Sequence, residues 1–242
     1  MFYPKPTFLN LKKYGFMTLL FLLQFGWISA QNEKQIQVSF HPVFGRSPIL
    51  LENAFYKLDS GDSVQFETVK FYISDIELWQ EERVIWKETN SHHLVDLALL
   101  KSISIPLMIR NGLVFNQIRF RLGIDSTTNA SGALAGDLDP TKGMYWTWDN
   151  GYINAKIEGK SNRCPTRNQE FQWHVGGYRR NVQTDRIISL PVNDTAGIRI
   201  RLDLKPVVNS LDLASVHHIM SAGKEGVMLA SILAQNFKME YK

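Results

Sequence analysis

The feature that most limits what this chain can fold into is a two-residue alternation of apolar and polar side chains, repeated in segment after segment. Ile36, Val38 and Phe40 alternate with Gln35, Gln37, Ser39 and His41. Val69, Phe71 and Ile73 do so against Lys70, Tyr72 and Ser74, and Ile118, Phe120 and Leu122 against Gln117, Arg119 and Arg121. The pattern returns at Ile153, Ala155 and Ile157, at Phe171, Trp173 and Val175, and most cleanly at Ile198, Ile200, Leu202 and Leu204. A period of two places successive side chains on opposite faces of an extended strand. Strands that bury one face and wet the other are the habit of antiparallel sheets. Asp59-Ser60-Gly61-Asp62, Arg110-Asn111-Gly112, Asp149-Asn150-Gly151 and Val192-Asn193-Asp194-Thr195 read as the turns between them. The sum predicts an all-β fold, an antiparallel β-sandwich-like single domain with long loops. One short C-terminal helix is expected where Val227, Ala230, Ala234 and Phe237 recur at helical spacing.

The first 30 residues predict export. They carry Lys5, Lys12 and Lys13 and no acid, then an apolar run from Phe16 to Leu23 that continues to Trp27 and exits on Ile28-Ser29-Ala30. A basic start, a short apolar stretch and a small-residue exit describe a secretory signal cleaved after Ala30. The uninterrupted run falls short of the roughly 20 residues that a spanning helix needs, so no membrane span is expected in the mature chain, 31–242. A periplasmic or secreted protein follows. The whole chain has 27 basic and 23 acidic residues. Three of the lysines leave with the signal, so the mature domain is nearly neutral and carries no sign of nucleic-acid binding. Its lone cysteine, Cys164, excludes an internal disulfide.

Residues 123–151 break the alternation. They are polar and glycine-rich and predict a long surface loop, which ends on Trp146 and Trp148, two rings on one face if that stretch is extended. No phosphate-binding glycine loop, Gly-x-Ser-x-Gly elbow or His-Glu-x-x-His is present, and no enzymatic activity is expected. Of the six histidines, His41 and His174 occupy the polar phase of clearly alternating strands. Imidazole suits copper, zinc, iron and nickel, so two such histidines that converge would hold an ion rigidly; the alternative is that each is an ordinary solvated strand residue. His92-His93 reads as a surface pair at a strand start. His217-His218, with Met220, offers either a soft-metal set or packing before the helix. Asp125, Asp137, Asp139 and Asp149 do not have EF-hand spacing and read as turn formers. The aromatic concentration of Trp146, Trp148, Trp173, Tyr145, Tyr152 and Tyr178 fits core packing, a sugar-stacking platform or redox-modified aromatics near a metal.

Taken together, several segments resemble the MbnP-like family of exported proteins in its Bacteroidetes branch. They are Val38-Ser39-Phe40-His41, the run Val69 to Ile76, Leu94-Val95-Asp96-Leu97 and Phe120 to Ser126. The most specific block is Leu138-Asp139-Pro140 through Gly143-Met144-Tyr145-Trp146-Thr147-Trp148, followed by Gly151-Tyr152, Glu158-Gly159 and His174-Val175-Gly176-Gly177. The resemblance covers roughly residues 35–240. It implies a periplasmic copper-binding protein, a non-catalytic carrier or store, with His41 and His174 as ligand candidates. It also implies that Trp146 or Trp148 is oxidised to kynurenine by a di-haem partner of the cytochrome c peroxidase type. Some relatives carry Trp-x-His on one strand, whereas here Trp173 directly precedes His174, and adjacent strand residues point to opposite faces. The alternative function is a carbohydrate- or protein-binding module built on exposed aromatics.

Overall fold

Every segment that alternates becomes a strand. The computed structural model describes residues 32–149, 151–193 and 197–240, together with Phe2 and Tyr3; the expected signal at 1–30 otherwise lies outside the described residues. The chain runs through β1 (Glu33–Phe44), β2 (Ser47–Pro48), β3 (Tyr56–Lys57) and the long β4 (Ser63–Gln80). It continues through β5 (Arg83–Lys87), β6 (His92–Asp96), β7 (Ser104–Arg110) and β8 (Gln117–Leu122). After a one-turn helix, α1 (Ser126–Ala130), come β9 (Tyr145–Trp146), β10 (Gly151–Ser161), β11 (Glu170–Gly176) and β12 (Arg186–Pro191). The last elements are β13 (Ile198–Asp203), α2 (Leu204–Asn209), β14 (His218–Ile219), α3 (Lys224–Gln235) and β15 (Phe237–Met239).

By backbone packing the chain divides into a small unit, Met1–Lys34 with Met108–Leu113, and a large one, Gln35–Leu107 with Val114–Lys242. In the small unit Asn111 N–H donates to the Asn32 carbonyl at 2.7 Å. All the candidate site residues lie in the large unit.

Two sheets form the frame. One is five-stranded, in the order β15-β13-β1-β2 with β7 also on β1. The other is ten-stranded and runs β12-β8-β4-β10-β11-β14, with β3, β5 and β6 on β4 and β9 on β10. The inward phase of each strand builds the core between them. Phe40 of β1 meets Phe120 and Phe71 of the larger sheet edge-on, at centroid distances of 5.3 and 6.3 Å. Phe237 completes the group. Each such pair adds about 0.5–1.5 kcal/mol beyond the area it buries. The all-β sandwich and the C-terminal helix agree with the sequence expectation. The antiparallel rule has exceptions, because β1–β13 and β11–β14 pair in parallel. Phe237, expected on the helix, lies in β15: α3 ends at Gln235, and the ring turns into the core.

The stretch 123–151 is not the plain surface loop expected. It folds across the outer face of the larger sheet and creates a second core. Leu138, Met144 and Trp146 pack there on Tyr72, Leu94, Ile124, Tyr152 and Ile153. Two of its acids serve as turn formers, as read from the sequence, whereas the Asp137 carboxylate accepts Leu94 N–H from β6 and Asp149 pairs with Arg179. Asp125 accepts the Thr127 and Thr128 N–H groups to cap α1, and Asp139 accepts from Thr141 N–H. The Tyr72 hydroxyl donates to the Asp137 carbonyl at 3.0 Å. Burial, followed by Tyr152, Asp137 and Asp139 nearby, raises the pKa of that phenol, so it remains a donor.

Glycine fixes how closely β10 and β4 approach. A Cβ at Gly159 would stand 2.0 Å from the Gln65 carbonyl oxygen, a backbone atom that cannot swing aside. Gly159→Ala is therefore expected to cost about 1–3 kcal/mol through overpacking. Chemical denaturation followed by far-UV circular dichroism checks this, and an unchanged midpoint would refute it.

Candidate metal site

His174 sits on β11, two residues before Gly176, and only 5% of its surface is exposed. Its neighbour Trp173 points into the core beside Phe171, at 4.6 Å between centroids. Alternation therefore sends His174 to the outer face of the larger sheet. Across β10 its register partner is Lys156, whose partner on β4 is Lys70, whose partner on β6 is Asp96. Diagonal to it, Glu158 places Oε1 2.7 Å from His174 Nε2, and Lys156 Nζ lies 3.5 Å from the same oxygen.

The charge state of Glu158 decides the chemistry of the ring. Burial alone would raise its pKa. The His174 hydrogen bond, the Lys156 charge and a Thr68 hydrogen bond outweigh burial and bring it down to about 2. An ionised carboxylate only accepts, so His174 Nε2 carries the shared proton. In the neutral ring the lone pair is then on Nδ1. That atom is buried and has no hydrogen-bond partner.

Trp146 lies on the same side. A Cβ on Gly176 would meet its ring atoms Cζ3 and Cη2 at 2.6 and 2.8 Å, so the absence of a side chain at Gly176 makes room for the indole. Trp146 is 1% exposed, and its Nε1–H also lacks a partner. Trp148, with its ring centroid 6.1 Å from that of Trp146, is 65% exposed. The two rings are neighbours, as the spacing suggested, but one is buried and the other faces solvent.

His41 is elsewhere. Phe40 faces the core, so His41 projects from the outer face of the smaller sheet. His174 projects from the outer face of the larger one. Two sheet layers, about 10 Å apart in a sandwich, separate these faces. The expectation that the two histidines share one ion is corrected on this ground. His41 Nε2 lies 2.9 Å from Ser39 Oγ, and its register partner on β13 is Arg201. Burial, then the Arg199 charge, lowers the His41 pKa against a weaker opposing pull from Glu240. Flanking guanidinium groups disfavour a cation there. Among the described residues no group of three or more His, Cys, Asp or Glu side chains converges.

Two other features carry less. A cavity of about 490 Å³ opens beside Lys70, His93, Asp96, Asp137 and Lys142. Four of its charges pair with each other, Lys70–Asp96 at 3.0 Å and Lys142–Asp137 at 2.5 Å, and Lys101 also lines it. Cys164 is buried, and burial pushes its thiol up to about 11, so it is a poor thiolate ligand at neutral pH.

The family model described as MbnP matches residues 33–222. The chain belongs to the MbnP family. Among solved structures, MbnP from Methylosinus trichosporium superposes with a TM-score of 0.57 at 13% identity, covering 80% of this chain and 83% of that one. At that identity the likeness is one of fold. Comparison with curated proteins finds no match. Within this MbnP-family domain, Glu158 is the partner of His174 that the reading of single residues did not pick out. Its signal was present: Lys156 and Glu158 form the polar phase of β10, and a short turn-rich link to β11 predicts that the two strands pair.

Proposed function

We propose that this MbnP-family protein is an exported, non-catalytic copper-binding protein and that His174 is its principal ligand. The observation that carries the proposal is the buried, unpartnered Nδ1 of His174, whose other ring nitrogen is held by an ionised carboxylate. A carboxylate on the far nitrogen fixes the tautomer and raises the basicity of a metal-binding imidazole. Copper is the ion implied by the family resemblance, and when bound it supplies a soft Lewis acid that accepts nitrogen donors in low coordination numbers. The chain's own residues orient and shield that nitrogen. Glu158 holds the ring, Lys156 balances the carboxylate, and Trp146 with the 123–151 segment covers the neighbouring surface.

Of the two tryptophans, Trp146 is the candidate for oxidation by a di-haem partner, because it occupies His174's side of the sheet. Trp148 is the aromatic such a partner would meet first. The mature protein is expected to begin at Gln31.

Anaerobic cuprous titration against a chromophoric competitor tests the ligand assignment. His174→Ala is expected to weaken binding by roughly tenfold or more, and His41→Ala to leave it unchanged. Wild-type affinity in His174→Ala, or loss confined to His41→Ala, would overturn the proposal.

A further inference from the structure

The strand that flanks His174 on the side away from β10 is β14. β14 pairs with β11 in parallel, with Gln172 opposite His218 and Trp173 opposite Ile219. Residues opposite one another in a ladder point to the same face. Accordingly, Ile219 is buried with Trp173 on the core side. The last observed pair is Trp173 with Ile219; continuing the same register by one rung would set Met220 opposite His174, on the outer side. The chain keeps this course past the last bridge, since the Ala222 Cβ lies 3.0 Å from where a Cβ on Gly177 would stand. Ala222 also packs on the cluster that contains Trp146. Met220 is thus fixed between two residues that both run alongside β11, and it is half-buried.

We infer that Met220 presents a thioether donor next to His174 Nδ1 and makes the site selective for a soft monovalent ion, cuprous copper, over zinc. The inference rests on the copper reading of His174. A methionine side chain has three rotatable bonds and a polarizable sulfur, and neighbouring strands lie about 4.8 Å apart, within its reach. Thioethers favour cuprous ions, whereas zinc takes imidazole, thiolate and carboxylate. The other flank of His174 carries Lys156, which cannot bind a metal while protonated, so the β14 side is where a second donor is available.

The test compares the wild type, Met220→Leu and His174→Ala, all in a Cys164→Ser background, in parallel cuprous and zinc titrations. Copper-edge X-ray absorption is recorded on each copper-loaded sample. Met220→Leu conserves volume and is expected to weaken cuprous binding by roughly tenfold or more, with zinc affinity unchanged. The wild-type absorption is expected to contain a sulfur scatterer that the variant lacks. Unchanged cuprous affinity in Met220→Leu, alongside loss in His174→Ala, would overturn the role of Met220 and leave His174 standing. No copper bound by the wild type would overturn both. Should Met220→Leu misfold, absence of sulfur from the wild-type spectrum still refutes the inference and its presence supports it.

Discussion

Trp146→Ala is expected to destabilise the domain by about 3–5 kcal/mol, the usual cost of deleting a large buried aromatic. The ring is among the largest fully buried side chains of the domain. It closes over Gly176 on one side and belongs to the cluster of Met144, Tyr152 and Leu138 on the other. On the Gly176 side the space is lined by strand backbone, with the Tyr152 carbonyl beside it. Trp146→Phe should behave differently. It keeps much of the volume and removes a buried N–H that has no acceptor, a group whose desolvation costs about 1–3 kcal/mol. The phenylalanine variant is therefore expected to lie much closer to the wild type than the alanine one. Trp148→Ala, at an exposed ring, is expected to stay within about 0.5 kcal/mol. Urea denaturation followed by far-UV circular dichroism ranks the three. If Trp146→Ala and Trp148→Ala lost the same small amount, the packed role of the 123–151 segment would be refuted.

This ranking shows where sequence reading succeeded and where it stopped. Alternation located β1, β4, β8, β10, β11 and β13 because burial on one face is a local property of a strand. It carried Leu204 too far: the strand stops at Asp203, whose carboxylate accepts the Lys205 N–H at 3.0 Å and so starts α2. Alternation also assigned His41 and His174 to the polar phase, and both do point away from the core. Phase, however, reports only inward or outward. It does not say which of two outer faces a side chain joins, and that depends on sheet membership. β1 is held by β13 through parallel pairing with residues some 160 positions later, such as Val38 with Ile198, a partnership no local pattern encodes. The 123–151 stretch reads as a plain loop for a related reason. Its few apolar residues, Leu138, Met144 and Trp146, are diluted among polar turn formers, and they acquire a partner only when Tyr72 and Tyr152 present the unfilled face of the sheet.

Glu158→Gln is expected to remove both stability and metal affinity, and pH separates the two. The wild-type carboxyl has a folded-state pKa of about 2 against an ordinary 4.5. A depressed carboxyl contributes stability that is fully present above the unfolded value and is lost as pH falls through the folded one. The window is therefore pH 4.5 down to 2. Solvent reaches this half-buried carboxylate and screens its partners, so the contribution at neutral pH is about 1–2 kcal/mol, less than the full shift would give. Glutamine cannot ionise, so the gap between wild type and variant should be widest above pH 5 and close towards pH 2. Metal affinity is affected by another route. The glutamine oxygen can still accept from His174 Nε2–H, but its amide can also turn and donate, which favours the tautomer with the proton on Nδ1. Loss of an oriented carboxylate behind a ligating imidazole commonly costs about 10–100-fold in affinity. That loss is expected in cuprous titrations at neutral pH, where the variant remains folded. A variant that loses stability but binds copper as tightly as the wild type would show that Glu158 holds the strand pair together without setting the His174 tautomer.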